Sequence, residues 1–154
     1  MKIEDIVKGK GKTLFTIKKK SFAVDAVAIL DEHRVGALMV LDDKDNVAGI
    51  ISERDILYKC YRSGEPLKEK SVESLMTNVE DIIVGEITDT PRRLMNLMVS
   101  KKIRHIPIME NNAIIGIVSS DDLLQLILEN SEVESRKLRE YIKNPFGVHI
   151  YNGE

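Results

Sequence analysis

The chain is short of cysteine, of histidine clusters, of excess charge and of long apolar runs, and each shortage removes a class of function. Cys60 is the only cysteine, so no disulfide can close within the chain and no thiolate zinc site can be assembled. The three histidines, His33, His105 and His149, are scattered, and their spacing suits no metal site. Net charge is −2 and no long basic run occurs, so the footprint of a general nucleic-acid binder is missing. No apolar run approaches the ~20 residues a membrane-spanning helix needs. Met1-Lys2-Ile3-Glu4-Asp5 has no signal-peptide core, and the expected compartment is the cytoplasm. Neither a Gly-x-Ser-x-Gly elbow nor a Walker loop is present, and no nucleophile–base pair is readable. The expectation is a protein with no catalytic residues and no metal.

What is there is a repeat. Gly49-Ile50-Ile51-Ser52-Glu53-Arg54-Asp55 is echoed by Gly116-Ile117-Val118-Ser119-Ser120-Asp121-Asp122, a shift of 67 residues. Internal repetition sets the architecture before any other signal. Both heptapeptides read as the end of a buried strand running into the first turn of a helix. Such a corner offers free backbone N–H groups and a partial positive charge, which suit a phosphate. A carboxylate in the first turn can accept two hydrogen bonds, which suits adjacent ribose hydroxyls. The same Ser-x-x-Asp is also a capping box, with serine as N-cap and the acid at the third helical position.

The 154 residues are 43% apolar and 31% charged, an ordinary globular composition. A chain of this length buries roughly 68–70% of its unfolded surface. Ile3, Ile6 and Val7 suit one face of a short helix, broken by Gly9 and Gly11. A strand is expected over 13–17, then a lysine run. Ser21 is the expected N-cap of a helix over 22–33, with Val24, Val27 and Ala28 facing the core. A strand over 36–41, almost continuously apolar, is followed by an Asp-rich turn, a strand over 47–51 and a helix over 53–61. A polar linker then leads to a second round. It has a short helix at Val72, Leu75 and Met76, a strand over 82–84, and a helix to about 101 capped by Asp89 or Thr90, with Pro91 in its first turn. Strands around 106–108 and 113–118 and a helix over 121–128 complete it. A further charged helix is expected over 131–143, stopped by Asn144-Pro145-Phe146-Gly147.

In order, Val35-Gly36-Ala37-Leu38-Met39-Val40 and Gly49 to Ile56, then Ile103-Arg104-His105-Ile106-Pro107-Ile108 and Gly116 to Asp122, resemble two CBS (cystathionine β-synthase) domains. Val72-Glu73-Ser74-Leu75-Met76-Thr77 resembles the usual lead into the second repeat. The resemblance covers about residues 1–130 and is that of a small stand-alone bacterial CBS pair. It implies a mixed α/β (α+β) fold of two CBS repeats, 1–65 and 66–130. Each would be a small sheet with packed helices, docked with pseudo-two-fold symmetry, and a C-terminal helix and tail would occupy 131–154.

The resemblance also implies a regulatory module that binds an adenine nucleotide between the repeats, AMP first, with ADP, ATP and NAD(H) as alternatives. No cofactor is required. A disc-shaped homodimer and a protein target of unknown identity are implied, with no membrane and no nucleic acid. The ribose carboxylates would be Asp55 and Asp122. Phosphates would meet Ser52, Arg54, Ser119, Arg104 and His105. Adenine would pack against Thr16, Ile17, Gly36 and Ala37 in one half and Val84 and Gly85 in the other. Glu53-Arg54 in the first copy becomes Ser120-Asp121 in the second. An acid beside a phosphate is unfavourable, so the Ser119/Asp122 side is expected to be the weaker for polyphosphates unless Arg104 or Arg54 compensates. The alternative function is a dimerisation or interaction scaffold with an empty cleft, in which Ser-x-x-Asp acts only as a cap.

Other residues have plainer readings. Asp42, Asp43 and Asp45 lack the glutamate and glycine spacing of an EF-hand and read as a hairpin turn. Met95, Met98 and Met109 read as core filler. His33 reads as a favourable charge at a helix C-terminus. Lys8, Lys10, Lys12 and the run Lys18-Lys19-Lys20 read as a solvated edge that discourages strand pairing.

Overall fold

The structure is a computed structural model that describes residues 1–9 and 13–143. The expectations for Lys10, Gly11, Lys12, the stop after 143 and His149 lie outside the described residues. The first half runs α1 (Ile3–Val7), β1 (Thr16–Lys18), α2 (Ala23–His33), β2 (Ala37–Leu41), β3 (Val47–Ser52) and α3 (Glu53–Ser63). The second half begins with α4 (Val72–Leu75), β4 (Thr77–Asn78) and a single 3-10 turn (Val79–Asp81). It continues with β5 (Gly85–Glu86), α5 (Pro91–Lys101), β6 (His105–Glu110), β7 (Ala113–Ser119) and α6 (Ser120–Lys143).

Two small sheets result, ordered β1-β2-β3-β4 and β5-β6-β7. In each, a parallel pair (β1 with β2, β5 with β6) precedes an antiparallel hairpin. The first hairpin turns on Asp42, whose Oδ1 accepts the backbone N–H groups of Lys44 and Asn46 at 2.8 and 2.9 Å. Those donors hold the Asp42 carboxyl below its ordinary value. The second hairpin is tighter: Asn111 and Asn112 both take positive φ, 50° and 63°, the pair of left-handed residues that a two-residue hairpin requires. The pseudo-two-fold extends to single bonds. Glu53 N–H donates to Gly36 O at 3.0 Å, and Ser120 N–H donates to Arg104 O at 2.9 Å.

Each sheet has its own apolar core, and the two cores exchange their short leading helices. Val72 and Leu75 of α4 are buried in the core of the first sheet with Leu38, Val40 and Ile51. Ile3 and Val7 of α1 are buried in the core of the second sheet with Leu94, Ile106 and Val118. Gly116 on β7 permits the second exchange, because a Cβ there would come 2.8 Å from Val7 Cγ1. Burying each such aliphatic side chain contributes about 1.5–3 kcal/mol. A cut between 65 and 66 therefore separates the sequence copies but not the packed cores.

Several local expectations change. The buried face of α2 is Ala23, Ala26 and Leu30, while Val24, Val27 and Ala28 are exposed. Two alanines let the helix lie close to the sheet, and the valines point outward. The N-cap of α2 is Phe22 rather than Ser21, with Asp25 Oδ2 accepting the Phe22 N–H at 3.0 Å. Thr90 caps α5, its Oγ1 accepting the Arg93 N–H at 3.2 Å. The strand expected over 82–84 forms at Gly85–Glu86, where the register pairs Gly85 with Ile108. The helices expected over 121–128 and 131–143 are one 24-residue helix, α6. Asn130 at the expected break serves the helix instead: its Oδ1 accepts from the Met1 ammonium at 2.9 Å, and its Nδ2 donates to Met1 O at 3.1 Å.

Candidate functional site

The two strand-to-helix corners form as duplicates. Ser52 Oγ accepts the Asp55 N–H at 3.2 Å, and Asp55 Oδ2 accepts the Ser52 N–H at 3.0 Å. Ser119 Oγ accepts the Asp122 N–H at 3.1 Å, and Asp122 Oδ2 accepts the Ser119 N–H at 2.9 Å. Both are reciprocal capping contacts. The surroundings then diverge. Asp55 Oδ2 also lies 3.0 Å from the Ser52 hydroxyl, and Oδ1 lies 3.3 Å from Lys59 Nζ. Position 126, equivalent to Lys59 in the second copy, is a buried leucine.

A cavity of about 1060 Å³ opens where the repeats meet, on the Asp122 side. Its size is at the upper end for small-molecule and cofactor sites. The first half supplies Thr13, Leu14 and Phe15, then His33, Arg34, Val35, Gly36 and Ala37, with Glu53, Ile56 and Cys60 from α3. The second half supplies Arg104, His105, Gly116, Ile117, Ser119, Ser120, Asp121 and Asp122. Six residues singled out from the sequence thus line one cavity: Gly36, Ala37, Arg104, His105, Ser119 and Asp122.

Seven others do not line it: Thr16, Ile17, Ser52, Arg54, Asp55, Val84 and Gly85. The register explains two of them. The ladder starts at Thr16, so Ile17 pairs with Val40 and enters the first core, 6% exposed, while Thr16 faces outward. Gly85 is packed under α5, where a Cβ would come 2.7 Å from Leu94 Cδ2. Arg54 is exposed on α3.

Sequence reasoning missed the aromatic wall. The rings of Phe15 and His33 stack with centroids 3.9 Å apart and planes 14° from parallel. They lie 18 positions apart, and only the parallel β1–β2 arrangement, with α2 crossing between, brings them together. Asp31 and Glu53 were missed as well. Among the lining side chains, four carboxylates (Asp31, Glu53, Asp121 and Asp122) outnumber two fixed cations, Arg34 and Arg104.

His105 joins the halves. A Cβ on Gly36 would come 2.6 Å from His105 Nε2, so the imidazole rests against the bare backbone of the other repeat. Burial pushes the His105 pKa below its ordinary value. Glu53, Asp122 and Asp121 oppose that shift, and Arg104 reinforces it.

Two small α/β sheets, duplicated corners and a cavity at their junction define a tandem repeat module. The CBS domain model matches this chain twice, over residues 4–61 and 72–129, and the chain belongs to the CBS domain family. It is 32% identical over 150 residues to the CBS domain-containing protein CBSX3, mitochondrial, of Arabidopsis thaliana, covering 94% of this chain and 73% of that one. Among solved structures, a CBS-domain protein from Burkholderia ambifaria MC40-6 superposes with a TM-score of 0.77 at 31% identity, covering 84% of this chain and 95% of that one. The CBS-domain protein ATU1752 from Agrobacterium tumefaciens gives 0.73 at 28% identity, covering 80% and 90%. No helix among the described residues is long and apolar enough to cross a membrane.

Proposed function

We propose that the chain is a regulatory module that binds an adenine nucleotide in the cavity beside Asp122 and performs no catalysis of its own. The observation that carries this reading is the cavity's composition: a stacked aromatic pair, a bare Gly36-Ala37 backbone and Arg104 converge with the Asp122 corner at the start of α6. Adenine fits the apolar and aromatic wall, the ribose diol fits the carboxylate, and a phosphate fits the helix start and Arg104. The carboxylate excess favours AMP, or an adenosine compound without a phosphate chain, over ATP and NAD(H). A protein of the same fold, the CBS domain pair of protein MJ0100, is solved with 5-methylthioadenosine and S-adenosyl-L-methionine. Ligand seated across both halves shifts their relative arrangement only if it binds one arrangement better. A protein target would read that shift, and a homodimer is the working assembly.

Thermal shift with adenosine, AMP, ATP and NADH tests the reading. At 100 times Kd, stabilisation of about 2.7 kcal/mol is expected, largest for AMP or adenosine and lost in Asp122→Ala. No shift with any of the four would overturn it. The second reading, an interaction scaffold, is favoured by the reciprocal Ser52/Asp55 and Ser119/Asp122 bonds, which satisfy caps without any ligand.

A further inference from the structure

The repeats expose an apolar residue at equivalent places. Leu57 and Tyr61 on α3 correspond to Leu124 and Leu128 on α6, and all four are more than half exposed. On α3 the row stops, because Gly64 ends the helix in the left-handed conformation. On α6 it continues. Leu124, Leu128, Ser131, Ser135, Leu138 and Ile142 follow a 4-3-4-3-4 spacing, and on an ideal helix they fall within about 80° of arc along ~27 Å. All six are exposed. The face that α6 turns to the core, at Leu123 and Leu126, is a different one. A 3.5-residue repeat of this kind is the seam of a two-stranded coil.

We propose that this stripe is where a second copy of the chain docks, α6 against α6, parallel and in register. The inference deepens the homodimer reading by naming its contact. Charge fixes both the occupant and the direction. Glu134 and Arg139 flank the stripe on opposite sides. In a parallel pair each Glu134 meets Arg139 of the second copy, twice by symmetry. An antiparallel pair with the serines opposed sets Glu134 against Glu134 and Glu132 against Glu132, which is repulsive. The small Ser131 and Ser135 let the two helices approach closely at mid-stripe.

The test is sedimentation of the full chain over a range of concentrations. The wild type should be dimeric, and Leu138→Asp with Ile142→Asp should weaken the dimer at least 10-fold while circular dichroism stays unchanged. An unaltered dimer in that variant overturns the α6 contact and leaves the homodimer reading standing. A wild type that is monomeric throughout overturns both. In a Cys60→Ser background, Ser135→Cys should form an intermolecular disulfide by itself. Crosslinking only when Ser131→Cys and Ser135→Cys chains are mixed establishes the antiparallel pair and overturns the proposal.

Discussion

Lys59 and Asp55 lie one helical turn apart on α3, with Nζ 3.3 Å from Asp55 Oδ1, and the same ammonium donates to the Leu75 carbonyl at 2.6 Å. One side chain thus ties the first corner to the end of α4. Lys59→Met should loosen α4. The group is partly exposed, so solvent screening limits the loss to about 1 kcal/mol, read as a fall of about 2–4 °C in Tm. An unchanged Tm would remove the tie.

The two corners should respond unequally to loss of their acids. Asp122→Ala is expected to weaken AMP or adenosine binding at least 10-fold in calorimetry, and Asp55→Ala to leave it nearly unchanged. Each variant also loses half a capping box, worth about 1 kcal/mol, so the comparison is made well below both melting temperatures. Equal losses of affinity would count against a single cavity beside Asp122.

Gly36→Ala introduces a methyl group where the His105 ring now rests. Overpacking of this kind costs about 1–3 kcal/mol, and thermal melts should show it. His105→Ala should relieve most of that cost in the double variant. Additive losses would mean that the two residues do not press on each other.

Acid should destabilise the fold through His105. Its folded pKa lies below the ordinary 6.5 because of burial. Above that ordinary value both states are neutral and the contribution is fully present. As pH falls below it, the unfolded chain takes up a proton that the folded chain resists, and stability is lost towards the folded pKa. His105→Gln should flatten this limb of a denaturation series between pH 7 and 5. A limb of unchanged slope would assign the loss to other groups.

Ile3→Ala should cost about 2–5 kcal/mol, although Ile3 belongs to the first sequence copy and its cavity opens in the second core. The exchange of leading helices also predicts one cooperative melt for the whole molecule. Two separated transitions would contradict it.

The duplication, the hairpins and the two Ser-x-x-Asp corners were legible because each is local: a glycine, a run of β-branched residues, then a cap. The wrong face of α2 shows the limit of that legibility. Hydrophobicity alone favours Val24 and Val27, but distance from the sheet selects Ala23 and Ala26. The exchange of α1 and α4 was illegible because nothing in Ile3 or Val7 states which of two similar cores will receive it. Of the residues that line the cavity, Ser119 and Asp122 on the second corner and Gly36 and Ala37 at the start of β2 were readable from the repeat and the family resemblance, whereas Ser52, Arg54 and Asp55 on the first corner were named with them and do not line it. Phe15 and His33 were not readable, since their stacking depends on a long-range arrangement. That the corners differ was readable from Glu53-Arg54 against Ser120-Asp121, but the contact of Lys59 with Asp55, one turn further along, was not.

The swapped short helices also limit how the molecule can move. Pulling the halves apart would strip Ile3, Val7, Val72 and Leu75 from their sockets at once. Swivelling or sliding keeps all four seated. On the proposed regulatory reading, a signal would therefore pass as a small twist between two interlocked plates, and not as the opening of a jaw.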